Sequence, residues 1–139
     1  MSAFVLDNSV TMRWCFENTS NAYAENILQQ LSSGEVAVAP VLWRYEVGAV
    51  LAKAERNGII NSQKVADFLT AIRSFDITID REGTERVLTE VYRLAVTYRL
   101  TGYDAVYLEL ALRMNLPLAT LDQAQPPVPA RKSQWARTG

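Results

Sequence analysis

Hydrophobic residues along the chain form two kinds of pattern: short continuous runs typical of buried strands, and longer stretches with helical spacing. The short runs predict strands at residues 3–6, 36–39, 76–79 and 116–121. The longer stretches predict helices at residues 22–31, 41–56, 62–74, 84–99 and 103–114. Because strands and helices alternate along the chain, the pattern predicts an α/β fold with helices flanking a mostly parallel central sheet.

The chain changes character after residue 125. Three prolines lie within residues 126–129, which favours an extended, polyproline-like segment. The residues that follow are polar and include three basic side chains but no acidic one. We therefore expect one domain over residues 1–125 and a Pro-rich, basic and poorly ordered C-terminal tail over residues 126–139.

Composition narrows the chemistry that the chain can perform. The 139 residues include no His and a single Cys, Cys15. This excludes Ser-His-Asp and Cys-His nucleophile systems, His-bound metals, cysteine-cluster zinc sites and an internal disulfide framework. Any chemistry must depend on carboxylates, hydroxyls, Lys or Arg side chains, or a metal bound by oxygen.

Charge and hydropathy set the expected surroundings of the protein. The 14 basic and 15 acidic residues nearly balance, so the chain lacks the overall basicity of a typical nucleic-acid module. No apolar run is long enough to span a membrane, and the first residues do not resemble a signal peptide. The expected compartment is the cytoplasm, with no membrane partner.

Three common ligand-binding signatures are absent. The chain has no phosphate-binding P-loop sequence. The turn after the first predicted strand, residues 8–11, lacks the glycines of a dinucleotide site. Position 9 is Ser, whereas an aspartyl-phosphate phosphatase would carry a second Asp there.

Glu46 is an acid among apolar neighbours. It lies inside the predicted helix 41–56 and is the only charged residue between Tyr45 and Ala52. The residues three and four positions away are Leu42, Trp43, Ala49 and Val50. A carboxylate on a buried helix face is costly unless it is paired, protonated or bound to a cation. Both a functional acid and a structural acid paired with an Arg remain open.

Three further acids lie at the ends of predicted elements. Asp7 and Asp122 each follow an apolar strand, where an acid can bind a ligand or simply form an Asx-turn. Asp104 follows Thr101 by three residues, a spacing that favours a capping box at the start of the last helix. Taken singly, each of these acids has an ordinary structural explanation.

Taken together, the four acids predict a metal site. If the first and fourth strands pair at the centre of the sheet, Asp7 and Asp122 become neighbours, and Glu46 and Asp104 can line the same crevice. Converging carboxylates without compensating cations repel one another. A hard divalent ion, Mg²⁺ or Mn²⁺, would resolve that repulsion and supply an activated water for phosphodiester hydrolysis.

Four segments that contain these acids follow one another in a recognisable order. They read FVLDNSV (residues 4–10), APVLWRYEV (39–47), LTGYDAVYL (100–108) and LPLATLD (116–122). With helices of the expected length between them, they resemble the PIN domain, and most closely the VapC toxins of VapBC toxin–antitoxin modules. The resemblance covers about residues 3–124 and implies a three-layer PIN-like fold.

The resemblance also implies a Mg²⁺- or Mn²⁺-dependent endoribonuclease and a role for each acid. Asp7 and Asp104 match the usual direct metal ligands of the family. Asp122 would bind the metal directly or through water, and Glu46 would orient the attacking water or bind a second ion. The hydroxyls of Ser9 and Thr120 match positions that often lie near the site.

The implied partners are structured RNA such as tRNA or rRNA, a cognate VapB-type antitoxin that blocks the site, and a second copy in a homodimer. The sequence departs from the family after Asp122, where three prolines replace the usual further helix and edge strand. That departure motivates the alternative of a catalytically impaired PIN-like binding or interaction module. The presence of all four acids argues against it.

Overall fold

In a computed structural model, which describes residues 3–16, 21–122 and 125, four strands form a single sheet in the order β3-β2-β1-β4. The strands are β1 (Ala3–Leu6), β2 (Val36–Pro40), β3 (Ile77–Asp80) and β4 (Leu118–Ala119). All three neighbouring pairs are parallel. The predicted parallel α/β architecture is confirmed, and β1 lies inside the sheet between β2 and β4.

Six α-helices flank the sheet within the described residues. They are α1 (Asn8–Thr11), α2 (Ala22–Ser32), α3 (Val41–Arg56), α4 (Ser62–Arg73), α5 (Tyr92–Tyr98) and α6 (Gly102–Met114). Short 3₁₀ helices occupy Met12–Trp14 and Glu82–Arg86, and a π-helical turn occupies Val87–Val91. None of the described helices has the length and apolar character needed to cross a lipid bilayer.

Polar side chains fix where three of these helices begin. Asn21, Asn61 and Thr101 each accept a hydrogen bond from the backbone N–H three residues further along. Such N-caps satisfy a backbone donor that has no partner inside the helix. The Thr101 cap agrees with the predicted start of the last helix and fixes the position of Asp104 in the first turn of α6.

The core lies on both sides of the sheet, as a parallel sheet requires. Seven strand residues have no exposed surface: Phe4, Val5, Leu6, Ala37, Ala39, Leu118 and Ala119. Helices α3 and α6 add Trp43, Val47, Leu51, Tyr107, Leu110 and Ala111 to the same core. Because the interiors of β1, β2 and β4 are apolar, the first polar side chains on these strands appear where the strands end.

Two predicted elements differ from the structure. The fourth strand covers only Leu118–Ala119 rather than residues 116–121. The predicted helix 84–99 is divided into a 3₁₀ turn, a π-helical turn and α5. The π turn departs from regular helical spacing, and its apolar residues Val87 and Leu88 are 44% and 88% exposed. The predicted tail, residues 126–139, lies outside the described residues.

Candidate metal centre

The carboxyl ends of β1 and β4 bring two polar segments side by side. Leu6 is paired with Ala119, so the residues that follow each strand are neighbours at one edge of the sheet. The backbone N–H of Asp7 continues this pairing with a 3.0 Å hydrogen bond to the carbonyl of Ala119. The predicted pairing of the first and fourth strands is therefore confirmed, although β4 lies at the edge of the described sheet rather than at its centre. This pairing places Asp7 beside Thr120.

Asp7 is a buried acid held by two hydroxyls. Only 5% of it is exposed, and its Oδ2 accepts hydrogen bonds from Thr120 Oγ1 at 2.5 Å and Ser9 Oγ at 2.9 Å. Burial raises the pKa of Asp7, the Thr120 and Ser9 hydrogen bonds lower it, and the charge of Asp122 raises it again. The net direction is upward, as expected for a carboxylate that has no cationic partner among the described residues.

The same two hydroxyls anchor the segment after β4. Ser9 Oγ accepts the backbone N–H of Leu121 at 3.0 Å, and Thr120 Oγ1 accepts the backbone N–H of Asp122 at 2.9 Å. The two hydroxyl oxygens are 3.4 Å apart. Ser9 and Thr120, expected near the site on the resemblance, thus contact Asp7 and fix the backbone that carries Asp122.

Asp104 and Asp122 approach each other from α6 and from the end of β4. The Asp122 carboxyl lies close enough to Asp104 to raise the pKa of Asp104. Burial, the contact with Asp122 and the charges of Asp122 and Asp7 together raise the pKa of Asp104 to about 6. The backbone carbonyl of Asp104 also accepts a 2.7 Å hydrogen bond from Gln125 Nε2. Two carboxyl groups in such contact are favourable only when they share a proton or a cation.

Glu46 joins the site from α3. Its carboxylate accepts a hydrogen bond from the hydroxyl of Tyr107 on α6. Burial raises the pKa of Glu46, the Tyr107 hydrogen bond lowers it, and the charge of Asp7 raises it. Glu46 is only half-buried, and Ala49, one of its apolar helix neighbours, is exposed. The helix face that was predicted to be buried is therefore buried only in part, and Glu46 lies at the edge of the buried part.

None of the ion pairs formed among residues 3–16, 21–122 and 125 involves Asp7, Glu46 or Asp104. Among the described residues, Glu46 therefore does not form the structural ion pair with an Arg that the sequence left open. Its partner is a neutral phenol instead. Burial raises the pKa of each of these three acids, and the charge of a neighbouring acid adds to that rise.

The donors suit a hard divalent ion, because carboxylate and hydroxyl oxygens are the ligands that Mg²⁺ and Mn²⁺ prefer. In the part of the chain that the structure describes, however, no three acidic side chains stand in an arrangement that could hold a metal ion. The donor chemistry of these acids still fits the ion, and its binding would require their side chains to move.

Tyr107 is a site residue that the sequence analysis missed. Its hydroxyl reaches Glu46, although its ring is 1% exposed and packs in the core. One signal was present: Tyr107 follows Asp104 by three residues on the same helix, and such residues share a face. A tyrosine in an apolar stretch is ordinary, so the spacing alone could not reveal its partner.

Trp43 on α3 is a core residue. It is 6% exposed, and its indole N–H donates to Thr11 Oγ1 at 2.9 Å. Thr11 in turn lies in the short helix that follows Asp7. The tryptophan therefore ties α3 to the first turn of the site and is not available as a stacking surface.

Sequence comparison identifies a matching family model and a similar protein. The family model described as PIN domain matches residues 4–130. The protein named Ribonuclease VapC3, from Pyrobaculum aerophilum, is 30% identical over 79 residues, which make up 57% of this chain and 60% of that relative. The aligned region therefore spans less than two thirds of the relative's length.

Solved structures share the fold. PAE2754 from Pyrobaculum aerophilum superposes with a TM-score of 0.63 at 27% identity, over 88% of this chain and 76% of that one. A toxin–antitoxin complex from Klebsiella pneumoniae gives 0.62 at 16% identity, over 91% and 92% of the two chains. VapBC2 from Rickettsia felis, bound to a promoter DNA fragment, gives 0.60 at 14% identity, over 86% and 88%. At these last two identities the likeness shows the fold alone.

Proposed function

This chain belongs to the PIN-domain family, and we propose that it is a metal-dependent endoribonuclease that acts as the toxin of a type II toxin–antitoxin pair. The observation that carries the proposal is the convergence of Asp7, Glu46, Asp104 and Asp122 from four distant parts of the chain. The relative named Ribonuclease VapC3 supports the RNA-cleaving activity.

In this proposal Asp7, Asp104 and Asp122 hold Mg²⁺ or Mn²⁺, and Glu46 orients the attacking water or binds a second ion. The metal supplies charge neutralisation at a phosphate group and a more acidic water as nucleophile. The hydroxyls of Ser9 and Thr120 keep the Asp7 carboxylate in one orientation. Hydrolysis then leaves a 5′-phosphate and a 3′-hydroxyl.

The proposed substrate is structured RNA such as tRNA or rRNA, and the proposed partners are a VapB-type antitoxin and a second copy of the chain. The Klebsiella and Rickettsia structures are described as toxin–antitoxin assemblies, which supports the antitoxin. Exposed apolar side chains support the homodimer, because large ones rarely cluster on a monomer. They line a groove of about 450 Å³ and include Tyr45, Val87, Leu88, Tyr92 and Tyr103.

A second candidate is a PIN-like binding or interaction module with impaired catalysis. The observation that favours it is the contact between Asp104 and Asp122, together with the lack, among the described residues, of three acids arranged to hold an ion. This candidate predicts antitoxin binding without metal-dependent RNA cleavage. RNA cleavage therefore distinguishes the two candidates, whereas antitoxin binding does not.

Cleavage of purified tRNA and rRNA, with and without Mg²⁺ or Mn²⁺, tests the proposal through Asp7→Asn. Asparagine can still accept the Thr120 and Ser9 hydrogen bonds, so the fold should persist. We expect cleavage to fall by about 100-fold or more, because a charged ligand is lost. The matched control is Asp76→Asn, an exposed acid outside the site, which should leave cleavage unchanged.

Two results would contradict this proposal. One is wild-type protein that cuts neither RNA with either metal, which would leave the interaction module as the better account. The other is an Asp7→Asn variant with wild-type cleavage and unchanged Mn²⁺ affinity, which would remove Asp7 from the proposed metal site.

A further inference from the structure

The hydroxyl of Tyr107 is a buried polar group at the acidic site. Tyr107 is among the largest fully buried side chains of the described residues, with 1% of its surface exposed. Its ring belongs to the main core, whereas its hydroxyl donates to the carboxylate of Glu46. A core tyrosine usually needs some partner for its hydroxyl, but this partner is one of the four acids of the proposed site.

Three elements of the site meet at that hydroxyl. Tyr107 lies on α6, one turn after Asp104. The backbone of Asn8, the residue that follows Asp7, lies near enough to the Tyr107 oxygen to lower the pKa of Tyr107. The Tyr107 hydroxyl donates its proton to the carboxylate of Glu46 on α3. The backbone that follows Asp7 and the carboxylate of Glu46 thus both lie beside this hydroxyl.

A neutral donor suits this position better than a cation. An Arg or Lys here would satisfy Glu46 equally well, but its charge would lower the pKa of the acids and oppose metal binding. The phenol donates one directed hydrogen bond and keeps its proton, since burial and the Glu46 contact raise the pKa of Tyr107. It therefore fixes a carboxylate without neutralising the site.

We propose that Tyr107 is a positioning residue that holds the Glu46 carboxylate in a fixed orientation relative to Asp7. The inference rests on the proposed function, in which Glu46 orients the attacking water or a second ion. Tyr107 acts on the reaction only through Glu46. Without its hydroxyl, the carboxylate keeps its charge but loses the contact that selects one side-chain conformation.

Tyr107→Phe tests the inference, because phenylalanine preserves the buried ring and removes only the hydroxyl. We expect kcat for RNA cleavage to fall about tenfold or more, with KM within about twofold, since orientation and not RNA binding is lost. The matched control is Tyr98→Phe, at the exposed end of α5, which should leave both values unchanged. Glu46→Asp, too short to reach the hydroxyl, should reproduce the loss.

A double-mutant cycle distinguishes positioning from a general packing role. In the Glu46→Gln background, Tyr107→Phe should change kcat by less than about twofold, because the group it positions is already gone. A loss of the same size in both backgrounds would overturn the proposal. So would wild-type kcat in both Tyr107→Phe and Glu46→Asp.

A measurement without RNA or metal keeps the inference separate from the proposed function. In protein labelled with ¹³C-glutamate, the Glu46 side-chain carboxyl signal is identified by its loss in Glu46→Gln. Tyr107→Phe should shift that signal and leave the other glutamate signals in place, whereas Tyr98→Phe should move none. An unchanged Glu46 signal would refute the positioning role even if the enzyme cleaves RNA. A shifted signal in a protein that cleaves nothing would overturn the nuclease assignment alone.

Discussion

The molecule contains two clusters of acids at the carboxyl end of its sheet, and they are satisfied in opposite ways. One is the proposed metal centre after β1 and β4. The other lies at the end of β3, where Arg113 donates to Asp80 at 2.6 and 3.2 Å and to Glu109 at 2.8 and 3.2 Å. All three side chains are largely buried, with exposed fractions of 15% for Arg113, 9% for Asp80 and 5% for Glu109.

The pKa of Asp80 and those of Asp7 and Asp104 are shifted in opposite directions in the two clusters. Burial raises the pKa of Asp80, but hydrogen bonds from Arg113 and Gly83 outweigh it and leave that pKa lowered. Burial also raises the pKa of Asp7 and Asp104, and there the neighbouring acids add to the effect. One fold thus combines an ion-pair network that contains its own cation with a set of acids for which we propose a cation from solution.

The largest expected effect is the loss of stability when Arg113, the cation of the ion-pair network, is replaced. Arg113→Met retains an apolar stem but leaves Asp80 and Glu109 buried without their main partner. We expect the free energy of unfolding to fall by about 3 kcal/mol. Chemical denaturation at pH 7 measures it. The control, Arg93→Met, removes an exposed i,i+3 ion pair with Glu90 and should lower the free energy of unfolding by less than about 0.5 kcal/mol. Equal losses for the two variants would contradict the stabilising role of the buried Arg113 network.

Acidification should change the stability contributions of the two clusters in opposite directions. The folded-state pKa of Asp104, about 6 against 3.8 for an ordinary Asp, means that the folded protein binds its proton more tightly. Metal-free protein should therefore lose stability as pH rises through about 6. The lowered pKa of Asp80 gives stability that is present above the ordinary value of 3.8 and lost as pH falls below it.

Melting temperatures between pH 3 and pH 8, in the presence of a chelator, resolve the two contributions. Asp104→Asn should remove the change near pH 6 and leave the acid-side loss. Arg113→Met should remove much of the acid-side loss and leave the change near pH 6. A wild-type melting temperature that is flat between pH 5 and pH 7 would show that the acids do not interact as described.

The smallest expected effect is at Glu46. Glu46→Gln keeps an oxygen that can accept the Tyr107 hydrogen bond but removes one negative charge near Asp7. In metal-free buffer the melting temperature should rise, by an amount equivalent to about 1 kcal/mol or less. Glu55→Gln, an exposed change near the end of the same helix, is the control. A lowered melting point for Glu46→Gln alone would count against like-charge crowding.

The acids of the proposed site could be predicted because each depends on a local signal. Asp7 and Asp122 follow apolar runs, and the parallel pairing of those runs brings their ends together. Glu46 was conspicuous because its helix neighbours are apolar. Asp104 was placed by the Thr101 cap. These signals lie within a few residues of the acid itself.

The contacts between elements could not be predicted in the same way. Tyr107 and Glu46 are 61 positions apart, and Arg113 and Asp80 are 33 apart. Their pairing depends on how α6 packs against α3 and β3, which no local pattern specifies. The π-helical turn has the same cause: its sequence has helical periodicity, and only the packing shows that Leu88 points outward.

A crystal structure after soaking with Mn²⁺, read by its anomalous signal, tests the central claim most directly. The claim is that acids far apart in sequence form a site completed by a divalent ion. The predicted result is a Mn²⁺ ion within coordination distance of Asp7, Asp104 and Asp122, with the Asp104–Asp122 contact opened. Acids that stay paired to each other with no Mn²⁺ between them, at millimolar metal and neutral pH, would contradict it.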